Sequence, residues 1–122
     1  FAKFEPTGTK GALVRANALW VTDLASGRET RLTTDGSDDI INGTSDWVHE
    51  EELGLRDAFR WSPDGTRIAY WRFDQRAVRA FPIVDETSAL YPRVSSLRYP
   101  KAGEANARVT LHVVDIAGTT RV

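Results

Sequence analysis

Short alternating strands punctuated by Gly, Pro, Asp and Ser turns, a two-unit internal repeat, and a length too small for a closed ring together predict an all-β fold. The architecture expected is a partial β-propeller of about two blades of antiparallel strands, with a short inserted Glu-bearing helix and an extended hairpin arm. The chain has 122 residues, of which 41% are hydrophobic and 27% charged, too apolar for disorder and enough for a modest core.

The first strand pair is Leu19-Trp20-Val21-Thr22-Asp23-Leu24, the turn Ala25-Ser26-Gly27, and Glu29-Thr30-Arg31-Leu32-Thr33, a hairpin by both alternation and turn chemistry. Trp61-Ser62-Pro63-Asp64-Gly65-Thr66 then leads into Arg67-Ile68-Ala69-Tyr70-Trp71-Arg72-Phe73. Apolar residues at both parities of that run predict a strand covered on both faces. Pro6-Thr7-Gly8-Thr9-Lys10 aligns with Pro63-Asp64-Gly65-Thr66-Arg67 at an offset of 57, and Leu19–Leu24 with Leu111-His112-Val113-Val114-Asp115-Ile116 at an offset of 92. The second unit therefore carries about 35 extra residues. This divides the chain into a first blade at about 1–45, an inserted helix at about 46–55, and a second blade at about 56–122 with an arm insertion at about 74–106. Such blades bury their faces only by stacking in a ring of four to eight, so the expected shape is an arc. A self-contained β-sandwich is the competing architecture, and it leaves the repeat as coincidence.

With 16 Lys and Arg against 17 Asp and Glu, and no long block of either sign, the chain lacks the electrostatic footprint of a nucleic-acid or anionic-lipid binder. No stretch approaches the roughly 18 apolar residues of a spanning helix. The absence of Met leads to the expectation of a processed chain or a piece of a larger protein, with any targeting segment removed or upstream. Without Cys there are no disulfides, thiol nucleophiles or Cys-based zinc sites. His49 and His112 do not by themselves suggest a metal site, and Asp35, Asp38 and Asp39 do not follow calcium-loop spacing. No cofactor is expected.

The run Asp46-Trp47-Val48-His49-Glu50-Glu51-Glu52-Leu53 departs from the blade pattern. Thr44, Ser45 and Asp46 are good N-cap types, and acids early in a helix suit its dipole, so one or two helical turns are expected. Glu51 then lies four residues after Trp47 and Glu52 four after Val48, placing both carboxylates on the side of the apolar pair. Two readings follow: a solvated acidic face, or a carboxylate pair that holds a cation, with an ammonium or an Arg a better candidate than a metal.

Asp46-Trp47-Val48-His49-Glu50-Glu51-Glu52, followed by Phe59-Arg60-Trp61-Ser62-Pro63-Asp64-Gly65, Tyr91-Pro92 and Tyr99-Pro100-Lys101-Ala102-Gly103, resembles the propeller domain of the dipeptidyl peptidase IV family of prolyl-oligopeptidase-type serine peptidases. The resemblance spans roughly residues 12–122, with His49 where that family carries Tyr. It implies an eight-bladed propeller over an α/β-hydrolase domain, and release of X-Pro or X-Ala dipeptides from peptide N-termini. It also implies that Glu51 and Glu52 hold the substrate's free α-ammonium, with Asp46, Trp47 and Glu50 in support. Fixing the ammonium two residues from the scissile bond acts as a ruler.

The insertion carries Phe81, Tyr91 and Tyr99, with Arg93-Val94-Ser95-Ser96-Leu97-Arg98 between two Tyr-Pro steps. It reads as a hairpin arm or as a plain surface loop. The resemblance implies an arm at a homodimer interface, with Phe81, Tyr91, Arg93 and Tyr99 as contact residues, and favours a periplasmic or secreted setting over a cytoplasmic one. The nucleophile is not expected in this chain, since Gly43-Thr44-Ser45-Asp46-Trp47 has Trp where a nucleophile elbow needs its second Gly. Asn42-Gly43-Thr44 matches a glycosylation sequon, a short and weakly informative pattern. His112 reads as strand packing. The expected role is recognition of peptide N-termini within a serine exopeptidase, the chain itself being inactive. A tripeptidyl peptidase relative, an inactive homologue and a non-enzymatic propeller used for protein interaction are the alternatives.

Overall fold

The computed structural model describes residues 2–117 and the backbone of a final strand at 120–121. The first sheet holds β1 (Ala2–Phe4), β2 (Lys10–Arg15), β3 (Ala18–Asp23) and β4 (Glu29–Arg31), hydrogen-bonded antiparallel in that order. Next come β5 (Ile40–Asn42), helix α1 (Trp47–Leu53), β6 (Phe59–Trp61) and β7 (Arg67–Asp74). The arm strands are β8 (Ala80–Asp85) and β9 (Arg93–Arg98), and the chain returns through β10 (Arg108–Asp115) and β11 (Thr120–Arg121). The second sheet runs β11-β10-β7-β5, with β6 also on β7, and β8-β9 forms a separate ribbon. This is a partial propeller with one short helix and an arm, as the sequence predicts.

The repeat is visible at the level of hydrogen bonds. Glu5 N–H donates to Lys10 O and Gly8 N–H to Glu5 O, and the same pair recurs as Ser62 to Arg67 and Gly65 to Ser62. Gly8 and Gly65 both take positive φ, 74° and 68°, the conformation in which a side chain would be strained. The carboxylate that fastens each turn comes from a different position. Glu5 accepts from the N–H and hydroxyl of Thr7 and of Thr9, whereas Asp64 accepts from the Ser62 hydroxyl and from the N–H and hydroxyl of Thr66. These donors, the Thr7 hydroxyl foremost for Glu5 and the Ser62 hydroxyl for Asp64, hold both carboxyls down at about 2.

The two sheets pack face to face. Ala12, Leu19, Val21 and Leu32 of the first meet Phe59, Ile68, Tyr70 and Val114 of the second in one buried cluster. Period-2 alternation explains this set, since Ala12 opposes Val21 on one sheet and Ile68 opposes Val114 on the other. The opposite face of β7 and β10 is more open than the sequence predicts: Trp71 and Val109 are partly exposed and Leu111 is 60% exposed. Among the described residues no third sheet stacks there.

β5 and β6 share one edge of β7. Ile40, Ile41 and Asn42 pair with Asp74, Phe73 and Arg72, and Phe59, Arg60 and Trp61 with Tyr70, Ala69 and Ile68. At Trp71 between them, the carbonyl accepts from Gly43 N–H and the N–H donates to Ala58 O. The edge strand is thus one line broken at a single rung, from which residues 44–57 leave and return. β5 belongs to the second sheet by pairing, although residues before 46 read from sequence as part of the first unit.

Polar groups join the two sheets beside this break. Asn17, at φ 57° in the two-residue turn between β2 and β3, presents its carbonyl to both the N–H and the Nδ2 of Asn42, at 3.1 and 3.2 Å. Asn42 Nδ2 also donates to Asp35, whose other oxygen meets Arg72 Nε at 2.8 Å. Burial pushes the Asp35 carboxyl up, but the bonds from Arg72 and Asn42 outweigh it and leave it below the usual carboxylate range. Asn42 has no exposed surface, so the sequon read at Asn42-Gly43-Thr44 presents no accessible acceptor in this fold.

His112 stacks on Tyr70 with ring centroids 5.4 Å apart and shares a hydrogen bond with Thr110. Burial, reinforced by the charge of Arg72, lowers its pKa. The unfolded chain therefore binds a proton that the folded chain refuses, and stability declines as pH falls from the ordinary His range near 6.5 to the lower folded value. Thermal midpoints measured from pH 7.5 downward should show this decline in the natural chain and a flatter profile in His112→Gln. Parallel profiles would place the titration elsewhere.

Candidate functional site

The helix begins and ends by local rules. Asp46 is the N-cap: its Oδ1 accepts the His49 N–H at 3.0 Å and lies 2.6 Å from His49 Nδ1. Gly54, at φ 63°, closes the other end, with nested bonds from Gly54 N–H to Glu50 O and Leu55 N–H to His49 O. The Thr44 hydroxyl donates to Arg56 O at 2.9 Å and that of Ser45 to Leu55 O, so the chain leaving the helix is tied to the chain entering it. Of the three residues read as possible caps, Asp46 caps and the other two close this loop.

The predicted site residues divide into two groups. Glu51 and Glu52 are exposed and have no ion-pair or hydrogen-bond partner among the described residues. Glu50 is half-buried, its Oε1 3.5 Å from Arg56 Nε. Trp47 lies against Tyr99 with centroids 4.5 Å apart, and Tyr99 in turn against Phe81 at 5.7 Å. The structure therefore joins the helix to the root of the arm. It does not bring Tyr91 and Arg93 into this group: Tyr91 is 79% exposed in the loop joining β8 to β9, and Arg93 opens β9 at the far end of a ribbon about 20 Å long. His49 faces the blade instead, its ring edge-on to Phe73 at 4.9 Å.

Residues not singled out in the sequence complete the arrangement. Arg98 bridges Asp39 at 2.6 Å and donates to Val78 O at 2.8 Å, fixing the arm root. Nothing local in the sequence marks Arg98, whereas Gly54 follows the last helical residue and is a readable stop signal. Among the described residues no group of three or more His, Asp or Glu side chains is placed to hold a metal ion, and no helix is long and apolar enough to cross a membrane. What the site offers chemically is two adjacent carboxylates, acceptors only, on a short helix at a break in a sheet edge. Carboxylates so placed have the chemistry to accept from a cation with several N–H donors.

The family profile described as dipeptidyl peptidase IV N-terminal region matches residues 1–122. The chain belongs to the dipeptidyl peptidase IV N-terminal region family. A crystal structure of Porphyromonas gingivalis dipeptidyl peptidase 4 superposes with a TM-score of 0.93 at 36% identity, over 99% of this chain and 18% of that one. An Aspergillus clavatus protein named as a probable dipeptidyl peptidase 4 is 40% identical over 96% of this chain, and dipeptidyl peptidase 4 of Trichophyton rubrum 37% identical over 98%. The chain spans 16% of the length of each of these two relatives. In dipeptidyl peptidase IV terms, it is a stretch of the N-terminal propeller that carries the Glu helix and the arm.

Proposed function

We propose that this chain is the part of a serine exopeptidase that recognises the free N-terminus of a peptide, so that X-Pro or X-Ala dipeptides are released. The observation that carries the reading is the pair Glu51 and Glu52, exposed on a capped helix and without a protein cation among the described residues. A helix so anchored can place an ammonium at a set distance from a scissile bond, while the nucleophile and its base come from outside residues 1–122. The test is to compare free and N-acetylated X-Pro substrates with the full-length protein. Acetylation removes the charge and two of the three donors, and kcat/KM should fall about 100-fold or more. Equal cleavage of both would remove the reading.

The arm fits a homodimer contact in the same assembly. Leu90 is 92% exposed, Tyr91, Val94 and Val84 are also open, and a two-stranded ribbon with so little covered surface is marginal in water without a partner. A monomeric full-length protein in light scattering would exclude this contact.

A further inference from the structure

We infer that Tyr99, at the root of the arm, is a positioning residue for amine recognition, acting through Trp47 on the helix that carries Glu51 and Glu52. The inference rests on the reading of those two glutamates given above. α1 has seven residues, none of them buried, and a helix so short has no stability of its own. Its place is set by what touches it. His49, capped by Asp46, lies edge-on to Phe73 of the blade, and Trp47 lies on Tyr99. Residues two apart on a helix point to nearly opposite sides, so these contacts grip α1 from the blade and from the arm. Glu51 is one turn beyond Trp47 on the same side, which makes the Trp47 seat the nearest determinant of where that carboxylate stands.

Tyr99 is well placed to be that seat. Its N–H donates to Arg79 O at 3.1 Å, its ring meets Phe81, and the preceding Arg98 is held by Asp39 and Val78 O. The seat is therefore fastened to the segments on both sides of the arm and to the loop before β5. Without the Tyr99 ring, α1 spends part of its time displaced, and apparent amine affinity falls in proportion to the fraction lost. An aromatic pair of this kind corresponds to a change of up to about ten-fold.

In the full-length protein, Tyr99→Ala should raise KM for a free-amine X-Pro substrate about five- to ten-fold, with kcat changed less than about two-fold. Tyr99→Phe should restore KM, because the contact is ring to ring. A purely structural role would reduce the amount of active protein, lowering apparent kcat and leaving KM in place. If Tyr99→Ala does not fold, Tyr99→Leu, which keeps apolar cover without a ring, carries the same expectation. KM within two-fold of the natural protein in the folded variant overturns the inference. Glu51→Gln in the same assay separates the two failures: if it raises KM while Tyr99→Ala does not, only the coupling is wrong, and if neither moves KM, the glutamate reading has failed as well.

Discussion

Glu51→Gln and Glu52→Gln, each introduced alone into the full-length protein, are expected to lower kcat/KM on free-amine X-Pro peptides by about 30-fold or more. Removing one partner of a hydrogen-bonded charge pair costs about 2–5 kcal/mol, and the lower end of that range already corresponds to about 30-fold. Gln keeps the shape and one acceptor oxygen, so the loss reports the charge and not a cavity. The carboxylates are exposed in residues 2–117, where hydration would weaken such a pair. The expectation therefore applies to the full-length protein with substrate bound, where water is displaced. Both constants should move: the ammonium is remote from the reacting bond, and remote binding energy is used to align the scissile carbonyl, so KM rises and kcat falls. The double variant should lose less than the product of the two single losses, because both side chains hold one ammonium. Steady-state kinetics on a chromogenic X-Pro amide measures all of this, and changes below about three-fold for both single variants would sever the helix from substrate binding.

The legible parts of this protein are those governed by local chemistry. The offset of 57 aligns β1 with β6 and β2 with β7 because both turns need a Gly at positive φ and a carboxylate to fasten their donors, a requirement written within five residues. The helix is legible for the same reason: Asp46 precedes an uninterrupted run and accepts from it. Its acidic character is legible too, though not the fact that Glu50 turns toward Arg56 while Glu51 and Glu52 stay free, since that depends on the path of residues 54–57.

Pairings made at a distance stay hidden. Ile41 is as apolar as any strand residue, but only the ladder shows that it joins Phe73 and not the sheet that precedes it. Trp47 reads as the apolar side of a helix, yet the surface it needs is a Tyr beyond the arm, and no periodicity links the two. Asn42 shows the reverse error: the three-residue pattern around it is that of an exposed acceptor, while its amide nitrogen donates to Asn17 O and to Asp35 between the sheets.

That polar junction leaves no room for a side chain at Gly36. A Cβ at Gly36 would lie 2.4 Å from Asn17 O and 2.7 Å from its carbonyl carbon, inside any real contact, and the obstacle is backbone, which cannot rotate away. Asn17 sits in a two-residue turn with both φ values positive, so its carbonyl has little freedom to retreat. The same carbonyl accepts from the backbone N–H and from Nδ2 of Asn42, which has no exposed surface and cannot exchange those bonds for water. Gly36→Ala thus either breaks those bonds, leaving buried donors at about 1–3 kcal/mol each, or forces β2 and β3 away from β5. A loss of about 3 kcal/mol or more is expected, a large share of the 5–15 kcal/mol typical of a whole domain. By contrast, a Cβ at Gly27 meets nothing within 4 Å, and Gly27→Ala should cost only the strain of φ 70°, about 1–2 kcal/mol. Denaturant midpoints of the two variants decide the matter. If Gly36→Ala is no worse than Gly27→Ala, the junction yields, and Asn17, Asn42 and Asp35 do not hold the sheets in register beside the break from which the helix emerges.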